Sequence, residues 1–149
     1  MKDPNEPHPK PFYTPIANEG TLAGSGVDGK LNDKYLLEPV GYGMKFASRF
    51  VGTTLLAVDF APRPVNAVAY AARQRNGRRI VAILNKDDKQ AIAIELPGLE
   101  VTEVLTAPSL DAKQVQLITG PQTTALVVRG SRSVTVPAHT AILATLTGS

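Results

Sequence analysis

The chain has 149 residues, is 43% hydrophobic and carries a formal net charge of +3. That length holds one domain, or one domain with an extra arm, and no apolar run approaches the length of a membrane span. The absence of Cys excludes disulfides and thiolate metal sites, and the opening residues lack the cationic-then-apolar pattern of a secretory leader.

Residues 1–15 include prolines at 4, 7, 9, 11 and 15. Such a segment forms no helix and cannot join the interior of a sheet, so it reads as an arm anchored by Phe12, Tyr13 and Ile16. Gly20 to Gly29 reads as a surface loop. It contains Gly24-Ser25-Gly26-Val27-Asp28-Gly29, a formal match to a dinucleotide fingerprint. No strand precedes this match and no helix opens at its last glycine, so the phosphate-binding geometry is not expected.

Val40 to Val51 patterns as the one α-helix. Pro39 suits a first turn, and Val40, Met44, Ala47 and Val51 share a stripe that Phe50 widens. Lys45, Ser48 and Arg49 lie on the other side, and Gly52 is a natural stop. A Met- and Phe-bearing stripe implies a core contact. Thr53 to Phe60 then reads as a strand, with Pro62 and Pro64 forming a rigid link.

From Val65 to Pro97 the spacing predicts an antiparallel meander of three strands. Asn76-Gly77 is a tight hairpin turn, since both central residues must accept positive φ. Asp87-Asp88-Lys89 is a second turn. Ile92, Ile94 and Leu96 alternate with Ala91, Ala93 and Glu95, the signature of a sheet with one wet side. Ile80 to Leu84 is apolar at every position and expects cover on both faces. Arg73, Arg75, Arg78 and Arg79 surround the first turn and read as a solvated surface. With 5% aromatics and no basic–aromatic interleaving, a nucleic-acid partner is not expected.

Five further strands follow: Thr102 to Thr106, Gln114 to Thr119, Thr124 to Arg129, Ser133 to Val136 and Thr140 to Leu146. Pro or Gly punctuates them roughly every eight to twelve residues. The fold class is therefore mainly β: an antiparallel β-sandwich of roughly eight or nine strands. A Pro/Gly-rich arm and loop (1–39) and one α-helix (40–52) precede the sandwich (53–149).

No catalytic constellation emerges. His8 lies in the arm and His139 at a turn, which offers no metal-ligand spacing. Asp87 and Asp88 diverge on a turn, Asp59 and Asp111 are isolated, and Ser25 lacks a strand-to-helix elbow. No metal or cofactor is expected. The residues alone describe a binding or structural module rather than a self-sufficient enzyme.

Several segments resemble glycoside hydrolase family 79, which contains heparanases and β-glucuronidases. Tyr13-Thr14-Pro15-Ile16, Glu38 to Met44 with Phe46, and Phe50-Val51-Gly52 look like the end of its catalytic barrel. Val68 to Ala72, Ile83 to Asp87, Leu105 to Leu110 and Val136 to Ala141 look like its C-terminal sandwich. The resemblance implies a non-catalytic sandwich domain bracing a (β/α)8 barrel of a retaining enzyme that acts on glucuronic-acid-containing glycans. Both catalytic glutamates would reside in that separate N-terminal domain. It also implies a secreted or periplasmic setting, and a barrel as the second cover of Ile80 to Leu84.

By the same resemblance Tyr13 is a candidate substrate-binding residue for a uronic-acid-containing oligosaccharide in the intact parent. This sequence has Lys10-Pro11-Phe12 where relatives carry a glycine-rich stretch, and Pro11 has no N–H to donate. The alternatives are a free-standing carbohydrate-binding module and a homo-oligomer formed through the barrel-facing surface. Against the first, Tyr70 is the lone aromatic after residue 65 and there is no Trp.

Overall fold

The computed structural model describes residues 16–18, 34–112, 114–125, 128–129 and 133–147. β1 (Ile16–Asn18) and β2 (Tyr35–Leu37) form an antiparallel ribbon that pattern reading missed, because three-residue strands are too short to show a period. Helix α1 (Pro39–Ala47) starts with proline in its first turn and runs into a 3-10 turn at Ser48–Phe50. Gly52, at φ +72°, ends it as expected.

β3 (Thr54–Leu56), β4 (Ala67–Arg73) and β5 (Arg79–Asn85) follow, then β6 (Ile92–Glu95), β7 (Leu99–Thr106) and β8 (Gln116–Thr119). A 3-10 segment over Gly120–Ala125 precedes β9 (Val128–Arg129), β10 (Ser133–Val136) and β11 (Thr140–Leu146). The nine strands from β3 to β11 make the mainly β, antiparallel architecture expected of the sequence. A six-stranded sheet has the order β3-β4-β5-β11-β7-β8, and a three-stranded sheet the order β6-β10-β9.

The β4–β5 hairpin forms as its Asn76-Gly77 turn requires, with Ala72 opposite Ile80 and Gly77 at φ +82°. The third strand of the expected meander does not join it. β6 crosses to the smaller sheet and pairs with β10, while β11 takes the place beside β5. Asn85 shows why. Its side-chain amide donates to the carbonyls of Gln90 and of Val136, so the chain leaving β5 is tied to the second sheet. A period-two pattern fixes which face a strand buries but not which neighbour it takes.

The core lies between the sheets. Val81, Ile83, Val101, Val104, Ile142 and Ala144 of the larger sheet meet Ile92, Val134 and Val136 of the smaller. Burial of each such branched side chain contributes about 1.5–3 kcal/mol. The alternate residues of the larger sheet form its outer face, and α1 lies against it: Phe46 packs on Ala82 and Leu143, with Phe50, Leu84, Leu105, Leu117 and Ala141 around them. β5 is thus buried on both faces, but its second cover is the chain's own helix. The all-apolar run at Ile80 to Leu84 needs no additional domain.

Candidate functional surface

The two faces of α1 set the main surface. Phe46 and Phe50, four residues apart, point at the sheet, and Phe46 is only 6% exposed. The expected stripe lies elsewhere on the helix. Val40, Met44, Ala47 and Val51 face outward, with Met44 58% and Val51 82% exposed. The helix is therefore apolar on two sides, and sequence spacing alone selected the longer stripe as the core-facing one. Tyr35, Leu36 and Leu37, immediately before α1, and Leu55, just after it, add to the exposed large hydrophobics.

Polar side chains fix the helix on the sheet. Arg49 Nε donates to Glu103 Oε1 at 2.7 Å. Glu103 stands on the outer face of β7, opposite Leu143 of β11, at a bulge that shifts the register between the two strands. Its Oε2, with Thr145 Oγ1 on the neighbouring strand, is a buried side-chain oxygen lacking a hydrogen-bond partner among the described residues. By strand alternation both belong to the face that carries α1.

An open cleft of about 550 Å³ lies where the end of α1 meets the β4–β5 hairpin. Arg49, Val51, Gly52 and Thr53 line one side, and Gln74, Arg75 and Asn76 the other. The arginine-rich turn read from sequence as a solvated surface therefore forms one wall of a cleft. A smaller hollow of about 190 Å³, at the Asn85 end of β5, is lined by Leu84, Leu105, Leu110, Val115, Ala141 and His139.

None of the acidic residues singled out in the sequence assembles into a catalytic pair. Asp87 caps its own turn. Oδ1 accepts the backbone N–H groups of Lys89 and Gln90, and Oδ2 that of Asn66. These bonds hold its carboxyl below the usual aspartate value, Lys89's first, with a smaller contribution from the nearby His139. Asp88 instead meets His139 Nε2 at 3.2 Å. His139 is a turn residue, as expected, at φ +53°. Asp111 accepts a hydrogen bond from Ser109 Oγ at 2.7 Å, which lowers its pKa.

Among the described residues no group of His, Asp and Glu is arranged to hold a metal, and no helix is long and apolar enough to cross a membrane. Tyr13, the candidate substrate-binding residue, lies outside the described residues, as do His8 and Ser25.

No family model matches the chain, and no curated protein sequence matches it. Among solved structures, that of the GH51 arabinofuranosidase from Xanthomonas axonopodis pv. citri is similar over 81% of this chain, with 18% identity and a TM-score of 0.48. The chain spans 28% of the length of that protein.

Proposed function

We propose that this chain is the non-catalytic C-terminal portion of a retaining glycosidase acting on glucuronic-acid-containing glycans, and that it braces a (β/α)8 catalytic domain. One observation carries the reading. Helix α1 is seated on the sandwich by Phe46 and Phe50 while a second apolar stripe, Val40-Met44-Ala47-Val51, faces outward. Exposed apolar surface of this kind marks contact with another body. The residues that resemble glycoside hydrolase family 79 begin at Tyr13 and include this helix, which supports a barrel as that body. In this role the sandwich holds the barrel's last helix in place, and the two catalytic carboxylates belong to the barrel.

A chromogenic β-glucuronide tests the assignment. The purified chain is expected to give no turnover, and hydrolysis by it would defeat the reading. A parent polypeptide that joins this chain to a barrel is expected to lose the barrel–sandwich contact when Met44 and Val51 are both replaced by Glu. An intact contact in that double variant would also count against it.

A further inference from the structure

The cleft between α1 and the β4–β5 hairpin is lined by the donor-bearing side chains of Arg49, Thr53, Gln74, Arg75 and Asn76 together with the apolar Val51, and by no carboxylate. Arg49 uses Nε on Glu103, and its two terminal nitrogens have no partner among the described residues. Arg75 makes no hydrogen bond or ion pair there either. Its Nη2 lies 3.9 Å from where a Cβ on Gly52 would stand, so the hairpin's guanidinium rests beside the end of the helix. Asn76 Oδ1 accepts the N–H of Arg78 at 3.0 Å, which leaves its amide NH2 as the available end. Behind this wall Arg73 and Arg79 are directly opposite each other on β4 and β5.

We propose that this cleft binds an oxyanion, the carboxylate of a small polar ligand or its sulfate or phosphate equivalent, between the guanidinium groups of Arg49 and Arg75. A planar guanidinium offers paired N–H donors that match the two oxygens of such a group. Glu103 acts as a positioning residue: by engaging Nε it fixes Arg49 with both terminal nitrogens left for the ligand. The site consists of residues of this chain alone and does not rest on the glycosidase reading.

The test is a ¹H–¹⁵N titration of the chain with sodium glucuronate, with sodium sulfate and with neutral glucose, at constant ionic strength. Saturable shifts centred on Gly52, Thr53, Gln74 and Asn76 are expected with glucuronate or sulfate and not with glucose. Stronger binding of glucuronate supports a sugar acid as the ligand; equal or stronger binding of sulfate supports a general oxyanion site. Arg75→Gln is expected to weaken binding about tenfold, the loss of one charge-assisted contact. Arg63→Gln makes the same charge change at an exposed position outside the cleft and is expected to leave affinity unchanged. The proposal is overturned by equal weakening in both variants, by the same shifts with glucose, or by no saturable shift with either anion.

Discussion

Arg49 and Glu103, 54 residues apart, are joined by a 2.7 Å hydrogen bond from Nε to Oε1 that pins the end of α1 to β7. Glu103 is 7% exposed, so Arg49 is the partner that offsets the cost of burying its carboxylate. Arg49→Met is expected to cost about 2–3 kcal/mol in urea denaturation, below the full penalty for a deeply buried pair because Arg49 remains partly in water. Adding Glu103→Leu removes the stranded carboxylate and is expected to recover part of the loss. A neutral Arg49→Met would show that the bond holds nothing in place.

The two apolar sides of α1 should respond differently to substitution. Phe46→Ala empties a buried site against Ala82 and Leu143 and is expected to cost about 3–5 kcal/mol. Met44→Glu and Val51→Glu should each change the stability of this chain by no more than about 0.5 kcal/mol, since both side chains already face solvent. Thermal denaturation of the three variants separates the faces. Equal losses at 44 and 46 would mean that the outward stripe is packed.

Gly98 and Gly77 share a positive φ but differ in their surroundings. A Cβ on Gly98 would run into the carbonyl oxygen of Thr147, whose N–H bonds Gly98 O at 2.8 Å. A Cβ on Gly77 would meet open space. Gly98→Ala is therefore expected to destabilise by more than the roughly 1 kcal/mol of backbone strain that Gly77→Ala brings. Gly77→Asn should be milder still, because Asn tolerates this conformation. Denaturant midpoints of the three variants give the ranking.

The turn after β5 should depend on acid. The folded-state pKa of Asp87 lies below the usual aspartate value, held there first by the N–H groups of Lys89 and Gln90. A depressed folded pKa means that the contribution is fully present above the unfolded value and is lost as pH falls through the lower, folded one. The amide resonances of Lys89 and Gln90 are expected to titrate with a midpoint below that of an unperturbed aspartate. Asp87→Asn keeps an oxygen for both bonds and should abolish the transition. A midpoint above that value would contradict the capping geometry.

Much of the sandwich was legible because its residues obey short-range rules. Asn76-Gly77 fixed one hairpin, and β10 and β11 appeared at the bounds read from their short runs of Val, Leu, Ile and Thr between Pro and Gly. Pairing partners were not legible. β6 left its expected neighbour because the Asn85 side chain reaches Val136, a contact 51 residues away that no local pattern encodes. The helix misled for a related reason. Its Val40-Met44-Ala47-Val51 spacing is a sound apolar stripe, yet the narrower Phe46–Phe50 pair carries the larger rings and won the sheet. Nor could spacing bring Arg49 and Arg75 to one cleft, since the cleft exists only once the helix end and the hairpin meet.

β11, the last strand in sequence, sits in the middle of the larger sheet between β5 and β7. A nascent chain emerging from the ribosome therefore cannot complete this sheet until residues 140–146 have been synthesised. Until then β5 and β7 each have an open edge capable of capturing a strand from another molecule. Strand pairing in the larger sheet is therefore closed by its latest-made strand, on which β5 and β7 both depend for their inner edges.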